Sequence, residues 1–242
     1  MKKAISIALL MLALLTTAGC GFSFNRVVGS GNLITDTRTV NNFDSITLDG
    51  LGQVTLTQGD TEGLALTAED NLVPFIRTNV SNGTLVISFD PRAGIAPTRA
   101  ITFDIKFKAL KSLALSGAGS IRAAGLKSDR LALTINGAGT VQLTDLAANE
   151  LNVSMNGAGN VSVAGQVTRQ SVTVNGLGNY SADDLKSDIA SISVAGTGNT
   201  TVWVNQTLDV TIAGAGSVSY YGAARVTQRI TGLGGVNNIG TK

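Results

Sequence analysis

A Gly-x-Gly triplet recurs through the second half of this 242-residue chain. Its first glycines are Gly117, Gly137, Gly157, Gly176, Gly196, Gly214 and Gly232, spaced by 20, 20, 19, 20, 18 and 18 residues, with an earlier copy at Gly50. A near-constant period of this length with strand-like content between the copies predicts a β-solenoid, one coil per repeat. All three prolines, Pro74, Pro91 and Pro97, precede the regular part. An uninterrupted hydrogen-bonded ladder requires that, because proline cannot donate to it.

Alternation carries the argument further. In the repeat around Gly137, residues Leu131, Leu133, Ile135, Gly137, Gly139, Val141 and Leu143 share one face, and polar or small residues share the other. The same frame holds around Gly157 and Gly214. Both glycines of each triplet therefore fall in the inward frame: Gly117 and Gly119, Gly137 and Gly139, Gly157 and Gly159, Gly176 and Gly178, Gly196 and Gly198, Gly214 and Gly216, Gly232 and Gly234. The expectation is an inward corner whose walls come too close for side chains. A phosphate-binding Gly-rich loop needs a helix after the glycines. Strand-like residues such as Ser120-Ile121 and Thr140-Val141 follow instead.

The outward frame is poor in charge, with Arg122 and Arg229 the exceptions near the triplets. Its columns supply the candidate binding face: Thr134, Asn136, Thr140, Ser154, Asn156, Asn160, Thr173, Asn175, Asn179 and Asn199. A weakly polar surface of this kind suits a glycan, a surface protein or a second copy of the chain. A purely structural account also exists, since stacked coils favour small β-formers and amide ladders along the axis.

Upstream, alternating runs at 45–48, 53–57, 64–67, 84–89 and 101–107 predict strands. Between them, Asp70 ahead of Leu72, Phe75 and Ile76 predicts one short capped helix. The expected organisation is a tether over 20–41 and a single solenoid domain over 42–242. That domain is irregular over 42–112 and regular over 113–242.

Residues 1–19 read as an export signal, with Lys2 and Lys3 before an apolar run and Thr17-Ala18-Gly19 before Cys20. The pattern resembles a bacterial lipoprotein signal, which implies a lipid, palmitate included, on Cys20 and anchoring in the cell envelope, at the inner or outer membrane. Cys20 is the chain's single cysteine, so no disulfide framework or thiolate cluster forms within one copy. Without the signal the chain carries equal numbers of basic and acidic residues. A nucleic-acid partner is not expected from that balance.

The chain has no histidine, which excludes His-based acid–base catalysis and Ser-His-Asp triads. No metal or cofactor is expected, because the positions beside the glycines hold Ser, Thr, Asn and Ala rather than recurrent Asp. Asp183-Asp184 form an adjacent carboxylate pair of the sort found solvated in loops, while Trp203 and Tyr221 are candidates for stacking on sugar rings. Tyr220 falls on the inward frame.

The runs Asn42-Phe43-Asp44-Ser45-Ile46, Gly50-Leu51-Gly52-Gln53-Val54, Glu69-Asp70-Asn71-Leu72 and Gly83-Thr84-Leu85-Val86-Ile87 carry a family likeness. Together with the Asn-Gly-Ala-Gly units at 136–139 and 156–159, they resemble the putative auto-transporter adhesin head GIN domain family over about residues 40–235. The resemblance implies a right-handed parallel β-helix on secreted or surface lipoproteins of bacteria. It implies no enzymatic activity and supplies no catalytic residues. The reading is therefore a non-catalytic envelope lipoprotein acting in adhesion or surface-partner recognition. The alternative is a polysaccharide lyase or hydrolase on a β-helix, which would need charged side chains converging on one groove.

Overall fold

The regular coils are built from long strands: Thr140–Met155, Asn160–Val174, Asn179–Val194 and Asn199–Ile212, each 14 to 16 residues. The chain bends at the Gly-x-Gly triplets that separate them. A computed structural model describes residues 26–242. The expected signal segment 1–19, Cys20 and the start of the expected tether lie outside the described residues.

Successive coils pair in parallel, and the apolar alternation becomes continuous interior columns. One runs Leu85, Ile46, Leu113, Leu133, Val153, Val172, Ile192, Val210. Another runs Phe103, Val54, Ile121, Val141, Val161, Tyr180, Thr200, Val218. Most of these side chains are below 3% exposed, and burying each aliphatic contributes about 1.5–3 kcal/mol. The all-β solenoid expected from the period is the architecture observed.

Three faces wrap the core. The first holds residues such as 131–135, the second such as 140–144, and the third such as 146–150, with Leu146 and Val167 buried beneath it. The unequal spacings of the triplets are absorbed between faces. Register shifts fall between Leu143 and Leu146, Ser162 and Gly165, Ala182 and Lys186, and Ser187 and Ile189. Asp145 and Gly165, with φ of 55° and 133°, mark that second corner. An extra residue in a bulge bends the strand and leaves the core columns in register.

The upstream strands join the same columns, but out of chain order. Ser45–Asp49 and Leu51–Gln58 pair directly with the coil containing Gly117, while Thr84–Phe89 and Thr102–Phe107 stack outside them. Beyond these, Ile76–Ser81 runs antiparallel to Thr84–Phe89, and Gly63–Glu69 antiparallel to Thr102–Phe107. Antiparallel strands close this end of the stack, replacing its parallel edge.

Two expectations are corrected here. Residues 26–38, expected within the tether, form two strands: Arg26–Val28 pairs with Gly94–Ala96, and Leu33–Arg38 pairs antiparallel with Gly63–Glu69. Leu33–Arg38 buries little on either side, so its sequence shows no clean alternation. The short helix capped by Asp70 is a single 3₁₀ turn, Val73–Phe75, with Leu72 at its N-cap position and no side-chain cap. Asp70 instead accepts from Ser30 Oγ, Asn32 Nδ2 and its neighbour Asn71 N. Hydrogen bonding to the ladder partner then takes Ile76–Ser81 into a strand.

Candidate functional site

The ten candidate face residues all lie on the outside, half-buried or exposed, but they form two strips rather than one plane. Thr134, Ser154 and Thr173 are rung neighbours on the first face, with Asn136, Asn156 and Asn175 beside them at the bend. Thr140, Asn160, Asn179 and Asn199 run along the second face beyond the bend. The Ala138, Ala158 and Leu177 column separates the strips, and Leu177 is 64% exposed.

Amide ladders hold both strips. Asn156 Nδ2 donates to Asn136 Oδ1 at 3.0 Å and Asn175 Nδ2 to Asn156 Oδ1 at 2.9 Å. On the second face Asn179 Nδ2 donates to Asn160 Oδ1 at 3.1 Å, and Asn199 N donates to Asn179 Oδ1 at 3.1 Å. Asn156 Nδ2 also donates to Ser154 Oγ at 3.4 Å, while Asn136, Asn160, Asn175 and Asn179 each retain an amide N–H and an oxygen lone pair. The strips therefore present donors and acceptors at the strand spacing, about 4.8 Å.

The third face is where charge collects. Lys127, Ser128, Asp129, Ala147, Asn149 and Gln166 line part of a shallow groove of about 650 Å³. Its lining carries one basic and one acidic side chain, Lys127 and Asp129, and an ion pair stands beside it. Arg130 Nε donates to Glu150 Oε2 at 2.9 Å, and Asn149 Nδ2 donates to Asp129 Oδ1. The hydrogen bond from Asn152, with help from Arg130, outweighs partial burial and holds the Glu150 carboxyl below its ordinary value. Asp44, Glu69, Asp70 and Asp90 are displaced the same way. A glycosidase general acid needs the opposite displacement. Among the described residues, no three His, Cys, Asp or Glu side chains gather into a metal cluster.

One interior feature escapes the pattern reading. Tyr180 Oη donates to Gln170 Oε1 at 3.1 Å, Gln170 Nε2 donates to Ser187 Oγ at 2.8 Å, and Ser187 Oγ donates to the Trp203 carbonyl at 2.8 Å. Gln170 and Ser187 are wholly buried, and burial pushes the Tyr180 phenol upward. The signal is present in the repeat alignment. Gln170 occupies the column of Leu131, Leu151 and Leu208, and Ser187 that of Val167 and Val204. The run of donors and acceptors satisfies groups that would otherwise be costly to bury.

The model of the family described as "Putative auto-transporter adhesin, head GIN domain" matches residues 42–224. The chain belongs to this family. No curated protein sequence matches it significantly. Among solved structures, a putative adhesin from Bacteroides fragilis is similar at a TM-score of 0.82 and 25% identity, over 88% of this chain and 100% of that one. A putative lipid binding protein from Parabacteroides distasonis gives 0.73 at 25% identity, over 88% and 99%. A putative adhesin from Parabacteroides merdae gives 0.66 at 23%, over 89% and 99%, a likeness of fold. The GIN-family coil thus places the two amide strips on either side of its glycine bend.

Proposed function

We propose that this GIN-domain protein is an exported, non-catalytic, lipid-anchored adhesion module that recognises a surface glycan through the two strips flanking the glycine bend. The observation that carries the reading is the pair of asparagine ladders. They fix amides at a constant spacing and leave free amide donors and acceptors at Asn136, Asn160, Asn175 and Asn179 on the exposed side. A polymer with regularly spaced hydroxyls can match such an array over several rungs, and multivalent weak contacts then sum. Membership of an adhesin-named family supports an exported or surface location and a binding role.

Binding of the 21–242 fragment, which retains every described residue, to whole cells and a glycan array tests the reading. Replacing Asn136, Asn156, Asn160 and Asn179 with Ala should reduce binding at least tenfold, while neutralising Lys127, Asp129 and Glu150 on the third face should leave it unchanged. The opposite pattern would move recognition to the groove. Anchoring is tested separately. A palmitate analogue should label the full chain, and Cys20→Ser should abolish the label and release the protein from the membrane fraction.

A further inference from the structure

Three segments distant in sequence, carrying Asp183-Asp184, Trp203 and Tyr221, come together at one corner. The register shift between the rungs Ala182–Val202 and Lys186–Trp203 leaves Asp183, Asp184 and Leu185 without partners on the next coil. Leu185 turns into the core, while Asp183 and Asp184 remain outside. Trp203 is the rung neighbour of Tyr221, and both are half-buried in the outward frame.

An ammonium group already sits in this corner. Lys242 Nζ donates to Asp184 Oδ1 at 2.6 Å and to the Asp183 carbonyl at 2.7 Å, and lies 3.6 Å from Asp183 Oδ2. It also lies 4.8 Å from the centre of the Tyr221 ring. Two carboxylates and an aromatic face are the elements by which proteins recognise a cationic amine. The hydrogen bond to Asp184, with both aspartate charges, holds the Lys242 ammonium above its ordinary pKa.

We propose that Asp183, Asp184, Trp203 and Tyr221 form a binding site for saccharides bearing free amino groups, and that Lys242 fills it in cis. The aromatic surface is larger than Lys242 uses. The ammonium lies over Tyr221, and Trp203 extends the platform by one rung, about 4.8 Å, a width that suits a pyranose ring. Aromatic rings stack against the apolar face of such a sugar, while carboxylates accept from its ammonium and hydroxyl groups. Lys242 is then a tethered competitor. The free site is populated only when Lys242 swings out, so apparent affinity is reduced by that open fraction. The site begins four residues beyond Asn199 on the same strand and stands independently of the amide strips.

Trp203 is the chain's single tryptophan, so its emission reports on this corner alone. The full described chain and its Lys242→Ala variant are titrated with a glucosamine hexamer, its fully N-acetylated counterpart and hexalysine. The expected result is a Trp203 response to the glucosamine hexamer, about tenfold tighter in Lys242→Ala. In that variant background, adding Asp183→Asn and Asp184→Asn should weaken binding at least tenfold without changing the melting temperature, both side chains being solvent-accessible. No response of either protein to millimolar glucosamine hexamer would overturn the proposal. Equal affinity for the N-acetylated hexamer would also overturn it, by removing the role of the amine, and tighter binding of hexalysine would reassign the site to peptides. Cell and glycan-array binding through the amide strips is read without Trp203, so the two proposals fail separately.

Discussion

Gly157→Ala is expected to lower the melting temperature by about 6–12 °C, the shift that about 3 kcal/mol produces in a chain of this size. A methyl group at Gly157 would fall on the carbonyl oxygen of Gly137 in the preceding coil, far inside van der Waals contact. The same holds down the stack, Gly176 against Gly157, Gly196 against Gly176 and Gly214 against Gly196. Backbone on both sides fixes each coil at this bend, so the clash has nowhere to relax. Conformation is not the reason, because no triplet glycine from Gly117 onward has positive φ.

The expected inward corner is thereby corrected. The missing side chain of each first glycine would point along the solenoid axis at the neighbouring backbone, not across the core. The second glycines combine both contacts, since a methyl at Gly159 would meet Gly139 O at 2.8 Å and the Ile135 side chain at 3.1 Å. Two controls separate this from a general intolerance of substitution. Ala158→Val projects into solvent, and a methyl at Gly235 meets nothing within 4 Å, so each should shift stability by less than about 0.5 kcal/mol. Equal melting shifts at Gly157, Ala158 and Gly235 would refute axial stacking as the cause.

Glu69→Gln is expected to loosen the closed end of the solenoid and lower the melting temperature by about 5 °C. Glu69 is 1% exposed, and its carboxylate accepts from Gly31 N at 2.7 Å, Thr98 N at 2.9 Å, Arg99 N at 3.4 Å and the Thr98 hydroxyl. It thereby ties both the 29–31 segment and the 98–99 loop to the strand Gly63–Glu69. An amide in its place turns a donor toward backbone N–H groups and leaves them unsatisfied. Hydrogen exchange should quicken over 26–38 and 94–101 while the coils from 131 to 212 keep their protection.

The pH dependence has a definite sign. Burial pushes the Glu69 carboxyl up, but the hydrogen bonds from Thr98, Gly31 and Arg99 outweigh it and lower the pKa below its ordinary 4.5. A carboxyl lowered on folding contributes stability that is present above its unfolded pKa and lost as pH falls through the folded value. The melting difference between the native chain and Glu69→Gln should therefore be constant above about pH 5 and close below about 4.5. A difference that widened on acidification would show that the carboxylate does not hold this end.

The alternating residues and the 18–20-residue period were enough to read off the solenoid, the core columns and the outward columns. Period-two geometry assigns each side chain to an inner or outer face without knowledge of any partner. The candidate site was only partly legible for the same reason. Asn136, Asn156 and Asn175 could be placed in one column from their spacing. Their separation from Asn160 and Asn179 by the bend could not, because alternation passes through a corner unchanged. Gln170 and Ser187 stood in apolar columns, yet their hydrogen bonds depend on which side chains meet across the core.

The sequence by itself determined which residues face inward and how often the chain turns. Tertiary structure alone decided what lies above and below each residue. Local alternation carries no information about contacts along the axis or between distant segments, and these set the glycine-on-glycine contact, the out-of-order stacking of the upstream strands, the Glu69 tie and the seat of Lys242. The recurring Gly-x-Gly marks both sides of that division: its period is legible in one dimension, while the contact that requires glycine exists only once the coils are stacked.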